Sequence, residues 1–314
     1  VGDLGRMTCS APSGPARRPG CQWTMVVTVV AAVALLASVS WGQQETSTRF
    51  APLFPVRQQG KEGYIDQSGK MVIPPQFEKA SHFAEGLAPA ERNGRWGYIN
   101  QSGQYVIQPQ FDDARPFSEG LARVHRNKRW GYTDRTGKMM IEPRFDQARK
   151  FSGGLAAVAV KEQWGYIDSS GRFVIEPQYE DAEDGAEGLM PVKQGGRWGF
   201  IGPDRSVKIA MQYERANRFS DGLARVELNG KWGYVDRTGR LAIPPRYDDA
   251  TSFSEGWAAV SDGGTWGYID ATGKTVLKPR FDKAAFFVQG LAAVKIGRKS
   301  GYIDRSGAVV WMAE

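Results

Sequence analysis

From residue 53 onward, apolar and polar positions along the chain repeat as short alternations broken by turn residues. The segment from Leu223 to Gly256 shows the pattern. Ala224 and Val226 alternate with polar neighbours, a period of two that predicts a half-buried strand. Asn229-Gly230 follows, and both residues tolerate positive φ, so a tight hairpin is expected. Trp232 to Asp236 forms the next strand, with Trp232 and Tyr234 on one face and Gly233 and Val235 on the other. Asp236-Arg237-Thr238-Gly239 reads as a second turn: Asp bonds nearby amides and Gly takes the left-handed conformation. A third strand is predicted over Arg240 to Ile243, ended by Pro244 and Pro245, which cannot donate to a ladder. Tyr247, Ala250 and Phe253 predict a short 3₁₀-like connection, with a fourth mini-strand at Tyr247-Asp248. No stretch has the period of a long helix.

The same pattern returns every 34 residues without insertion or deletion. Trp96-Gly97 recurs at Trp130-Gly131, Trp164-Gly165, Trp198-Gly199, Trp232-Gly233 and Trp266-Gly267, while the two ends read Glu62-Gly63 and Ser300-Gly301. The glycine beside the indole implies a close approach where a Cβ would collide. A second unbroken glycine column, Gly86 to Gly290, is expected at positive φ. One unit offers too few apolar residues to fold alone, so neighbours must share a core. The indoles, beside an unvarying small residue, read as core rather than as exposed sugar-stacking platforms.

Lys231-Trp232-Gly233-Tyr234-Val235-Asp236, the Thr-Gly turn, Ile243-Pro244 and Phe253-Ser254-Glu255-Gly256 together resemble the WG (or KWG) repeat family, β-rich tandem repeats found mainly in bacteria and often exported. The resemblance implies an all-β fold and a binding or surface role, and brings no catalytic residues with it. Counted from Leu53, the array holds seven full units and part of an eighth. Loss of Trp at both ends reads as capping of free ends. The expected architecture is therefore an open solenoid-like array of β-hairpin or meander repeats, the alternative being a closed seven- or eight-bladed β-propeller-like ring.

Before the array, Arg17 and Arg18 precede an uncharged apolar run from Met25 to Val39, followed by small residues. This predicts a signal peptide or an N-terminal anchor within 1–42, then a linker over 43–52 and the repeat domain over 53–314. With Val1 first, Met7 and Met25 are candidate translation starts. A secreted or periplasmic location follows, or a membrane-anchored one if the leader is retained. Both cysteines, Cys9 and Cys21, lie in the leader, so the repeats contain no thiol for a disulfide, a nucleophile or a thiolate metal site.

The net charge of +7 and pI of about 9.3 are spread thinly. Without a basic stripe, nucleic-acid binding is not expected, although weak association with an anionic membrane or cell surface is compatible. Catalytic constellations are scarce. His82 and His125 fall in different phases of the repeat. The column Asp66, Asp134, Asp168, Asp236, Asp270 and Asp304 is explained by its turns. No cofactor or metal is expected. Candidate binding positions are those where the middle of the array departs from its pattern: Gly185 replaces Phe, Gly202-Pro203-Asp204-Arg205 replaces the Asp-turn, and Lys208 replaces Val. The expected function is a non-enzymatic exported scaffold binding a protein or an envelope polysaccharide through its repeat surface. The rivals are a carboxylate-based envelope glycosidase and a purely structural spacer.

Overall fold

A computed structural model describes residues 52–313. The leader at 1–42 and most of the linker lie outside the described residues. The described chain is all β: eight antiparallel sheets follow one another, the first with three strands and the others with four. We number these sheets as blades 1 to 8, spanning 54–77, 79–111, 113–145, 147–179, 181–213, 215–247, 249–281 and 283–312.

Blade 6 illustrates how the sequence makes each sheet. Leu223–Leu228 and Lys231–Asp236 form a hairpin whose turn residues Asn229 and Gly230 take φ of 53° and 70°. The third strand, Leu241–Tyr247, runs straight through Pro244 and Pro245 instead of stopping before them. The reason is a bulge. Trp232 pairs with Tyr247 and Tyr234 with Ile243, so the residues between make no regular ladder and a missing N–H costs nothing. That bulge also lies against the glycine beside the indole. A Cβ on Gly233 would sit 2.5 Å from the Pro245 nitrogen and 2.6 Å from the Ile243 carbonyl oxygen. The fourth strand is two residues, Asp249–Ala250 rather than Tyr247-Asp248, and it pairs with the following hairpin, so it begins blade 7. The connection after it is a bend closed by the Ser254–Trp257 bridge, not a 3₁₀ turn.

Successive blades pack face to face. One apolar cluster unites Trp164, Tyr166, Ile175 and Tyr179 of blade 4 with Ala182, Met190, Val192 and Ile201 of blade 5. Trp164, Trp198 and Trp232 are buried, and Trp96, Trp130 and Trp266 are half-buried, as a core role requires. Polar staples repeat with the packing. The buried tyrosine of one blade donates its hydroxyl to a carbonyl at the inner end of the next: Tyr98 to Arg115, Tyr132 to Arg149 and Tyr234 to Thr251, at 2.7–2.8 Å. Carboxylates accept from the glycine amides of the next blade, as Glu119 does from Gly153 and Gly154 and Asp221 from Gly256.

The array closes into an eight-bladed β-propeller. Tyr166 reaches the Pro191 carbonyl 25 residues ahead; Tyr302 reaches that of Pro55, 247 residues back, which is eight periods less the same 25. Arg305 reaches the Glu255 carbonyl 50 residues back, and Gln67 that of Gln289 in the equivalent register across the junction. Phe54, Val56 and Ile65 of blade 1 share a cluster with Leu291 of blade 8. The open array is thus corrected to the ring. Counting from Leu53 cut each unit inside a blade; cut before the two-residue strand, the chain holds eight sheets. Four strands fit a 34-residue blade because one of them is so short. The ends lack Trp because they meet at a seam: Glu62 pairs there with Arg57, and Trp311 and Tyr302 line a groove of about 600 Å3 with it.

Candidate functional site

Two adjacent columns of the repeat follow no pattern. Every two-residue strand ends in alanine, from Ala80 to Ala284, and three residues later stands Phe (Gly185 excepted). The pair between them reads Ser81-His82, Arg115-Pro116, Arg149-Lys150, Glu183-Asp184, Asn217-Arg218, Thr251-Ser252 and Ala285-Phe286. Tyrosine staples hold the backbone at the first of each pair except Asn217, where Phe200 stands in the tyrosine's place. Side chains there can vary without disturbing the fold.

These pairs face the propeller axis. Lys150 of blade 4 interacts electrostatically with Arg218 of blade 6, and His82 of blade 2 with Lys150. Groups two blades apart come that close only near the centre. Asp184, between them on blade 5, is surrounded by Lys150, Arg218, Arg123 and Arg149. Burial nevertheless raises its carboxyl above the ordinary range, the cations offsetting only part of the desolvation. Glu183 is raised too, chiefly by burial, although Arg149 bonds it at 3.1 Å. Arg123 lies over the Trp130 ring and donates to the Ala148 carbonyl; Arg225 lies over Trp232 and donates to Asn217 at 2.7 Å. Burial lowers both guanidinium groups from their usual value. Burial and the nearby Lys150 lower the His82 imidazole.

The residues singled out in the sequence lie elsewhere or play another part. Gly185 is buried, and a Cβ on it would stand 3.0 Å from Met190 Cγ. Met190 occupies a column that is otherwise alanine, from Ala88 to Ala292, so the thioether chain fills space that the missing phenyl ring leaves. Gly202 to Ser206 form a rebuilt turn, exposed from Pro203 onward, and Lys208 follows on the next strand. Asp204 accepts from Ser206 at 3.2 Å and pairs with Lys208 at 3.0 Å, while Arg205 takes the positive φ of the usual glycine and donates to the Val174 carbonyl. Pro203 belongs to that same turn. None of the contacts of Gly185 involves it. The Asp column caps its own turns: Asp236 Oδ1 accepts from Thr238 N, Thr238 Oγ1 and Arg240 N at 2.9, 2.6 and 3.1 Å. His125, on the first hairpin strand of blade 3, lies against Trp130 and 3.9 Å from Asp112. Among the described residues no cluster of three or more His, Cys, Asp or Glu could hold a metal, and no helix is long and apolar enough to cross a membrane.

The axial groups Arg149, Lys150, Asp184 and Arg218 escape a reading by motif because they are marked by absence of pattern; Arg123 joins them from the first hairpin strand of blade 3. The signal was there: two columns without a consensus between an invariable Ala and a near-invariable Phe.

Comparison with known families matches the WG containing repeat at residues 63–96, 96–130, 130–162, 164–198, 198–232, 232–266 and 266–299. The chain belongs to the WG-repeat family. No curated protein matches this WG-repeat chain in sequence. Among solved structures it is similar to a eukaryotic initiation factor, at 12% identity and a TM-score of 0.54, over 84% of this chain and 96% of that one. It is also similar to Hsv2p of Kluyveromyces lactis, at 10% identity and a TM-score of 0.50, over 75% and 96%. At such identities the likeness concerns the propeller fold alone.

Proposed function

We propose that this WG-repeat propeller is a non-enzymatic exported scaffold that binds a protein or cell-envelope polysaccharide partner through its axial loops. The observation that carries the reading is the break in symmetry. Packing positions repeat around the ring, whereas the paired positions at the axis differ from blade to blade and gather charged groups. Loops on a rigid repeat scaffold are where recognition can vary at little cost to stability. The leader, with its basic start and apolar run, supports export by a cleaved signal, with membrane anchoring as the alternative. The mechanism is contact without reaction, and no cofactor or nucleic acid enters it.

The test uses the full chain in its own host. Fractionation should place it beyond the cytoplasmic membrane. Purified chain on glycan and peptide arrays should bind reversibly, and exchanging the pairs at 149–150, 183–184 and 217–218 for Ser-Ser should abolish retention without unfolding the ring. Two half-buried carboxyls with raised pKa, Glu183 and Asp184, are also what a glycosidase acid would need. Product release that a single change at either position abolishes would therefore favour the hydrolase. Unchanged function after all three exchanges would favour a spacer.

A further inference from the structure

A row of three cross-strand partners runs over one face of each four-stranded blade. In blade 2 it reads Lys79, Glu91, Trp96, and in blade 6 Arg215, Glu227, Trp232. The first two members there carry opposite charges and close ion pairs, Lys79 with Glu91 at 2.9 Å and Arg215 with Glu227 at 3.3 Å. The third is the indole that packs against the following blade. Blade 8 departs at every position: its row reads Lys283, Lys295, Ser300. Like charges directly opposite on neighbouring strands repel, and no other blade places two of them there. Among the described residues neither lysine closes an ion pair, nor does Arg298 on the turn beside them. The carboxylate of Asp282 is turned to the Gly297 amide, which donates to it.

Beside Ser300 a groove of about 600 Å3 opens between blades 8 and 1. Lys283, Lys295, Arg298 and Arg57 line it against one carboxylate, Glu62, which Arg57 holds at 3.4 Å. The floor is apolar and uncovered. Ala293 is exposed, although its counterparts Ala157 and Ala259 are fully buried, and Tyr302 is half-buried, although Tyr132, Tyr234 and Tyr268 are fully buried. All four strands of blade 8 contribute to the lining, from Lys283 on the innermost to Trp311 on the outermost. The groove therefore runs about 14 Å across them, the length of about four extended residues.

The rim calls for anions and the floor for an apolar ring. A bare anion leaves the floor in water. A saccharide brings hydroxyls to alanine, where they find no donor or acceptor. A polypeptide carries carboxylates and an aromatic side chain within four residues, on a backbone of the right length. A second copy of this chain, with a net charge of +7, is repelled by the rim. The chain's own residues 43–51 contain one acid, Glu45, and one base, Arg49, and so bring no net charge to the cations.

We infer that the seam groove docks an acidic segment of a partner protein. Its aromatic side chain lies over Ala293 and Tyr302, beside Ser300, and its carboxylates meet Lys283, Lys295 and Arg298. The surface lies apart from the charged axial pairs and does not depend on them.

The experiment is fluorescence anisotropy of the full chain at low salt. The labelled probes are Glu-Glu-Trp-Glu-Glu and Glu-Glu-Phe-Glu-Glu, the same peptide centred on Ala, and Gln-Gln-Trp-Gln-Gln. A galacturonate trimer and phosphatidylglycerol vesicles serve as competitors. At least one acidic aromatic peptide should bind, and the Ala-centred and Gln peptides about tenfold more weakly or worse. Lys283→Gln and Lys295→Gln should each weaken binding about three- to fivefold. Lys283→Glu should weaken it about tenfold or more while raising the melting temperature by about 1–3 °C, because it restores the opposed charges of the other blades. Ser300→Trp should abolish binding by refilling the groove, near-UV circular dichroism confirming the fold. Exchanging the axial pairs at 149–150, 183–184 and 217–218 should leave binding unchanged. No binding of either acidic aromatic peptide, equal binding of Gln-Gln-Trp-Gln-Gln, or binding that Lys283→Glu and Ser300→Trp leave unmoved would each overturn the inference. So would tighter binding of the vesicles or the uronate trimer at the same lysines. If the peptides bind only after Phe50→Ser, the chain's own linker takes the groove and the inference fails.

Discussion

At the scale of single residues, each column of the repeat is a physical demand stated eight times, and exceptions are informative only when the demand is understood. Gly165 cannot become larger because a Cβ would lie 2.3 Å from the Ile175 carbonyl oxygen, and main chain does not move aside cheaply. Gly185 differs in kind, since its nearest neighbour is the flexible Met190 side chain. The two substitutions in blade 5, Phe to Gly and Ala to Met, exchange volume between positions five residues apart. Gly185→Phe alone should overpack the site and cost about 1–3 kcal/mol. Met190→Ala alone should leave a cavity and cost about 2–4 kcal/mol. Together they restore the pattern of the other blades, so the double variant should be destabilised by less than the sum, with a coupling of about 1–3 kcal/mol in urea unfolding. Simple additivity would show that Met190 does not fill the vacated volume. Gly185 was visible in the sequence as an exception. Its partner was not, because the two belong to different columns and meet only through the fold.

At the scale of elements, turns and hairpins were the most legible parts. Asn229-Gly230 and the Asp-turns act through bonds within four residues, and their chemistry is written locally. The seven-residue strand is longer than its sequence implies because the rule against Pro in a ladder assumes a ladder, and here the bulge removes it. The two-residue strand is not legible in the sequence because so short an element has no period. The Asp-turns also predict an acid response. Accepting hydrogen bonds from Ser or Thr hydroxyls and turn amides holds Asp66, Asp134, Asp168, Asp270 and Asp304 below the usual carboxylate range, and Asp236 at about 2. A depressed folded-state pKa gives stability that is full above the unfolded value of about 4 and is lost as pH falls towards about 2. Asn100 shows that an amide can fill the role: its Oδ1 accepts from the Ser102 and Gln104 amides at 3.0 Å, and it does not titrate. Asp236→Asn should therefore be less stable than the parent at neutral pH. That deficit should shrink or reverse between about pH 4 and 2, as followed by melting temperature. A deficit independent of pH would remove the carboxylate from the account.

At the scale of the whole molecule, the repeat was evident and the ring was not. Closure is made by contacts such as Tyr302 to Pro55, 247 residues apart, and such a contact leaves no mark in any one unit. The missing terminal indoles suited free ends equally well, until Glu62 and Ser300 proved to line the same groove. Ring and open array differ in what the last unit is worth. In an open stack each unit touches only its neighbours, and removing the outermost costs one interface. In the ring, ending the chain after Phe281 removes two. Tyr268 then loses the Ala285 carbonyl that its hydroxyl meets at 2.9 Å. Tyr268 and Phe281 lose Phe287, Ala292, Val294 and Ile303, while Phe54 and Val56 lose Leu291 and Trp311. Each large apolar side chain re-exposed costs about 1.5–3 kcal/mol, and at this size 1 kcal/mol moves the melting temperature by about 2–4 °C. The truncated chain should melt well over 10 °C lower than the full one, and should associate at micromolar concentration through the two bared blade faces. Melting followed by fluorescence, with light scattering on the same samples, reads both effects. A monomeric truncation product that melts within about 2 °C of the parent would mean that the eighth blade is an end and not a closure.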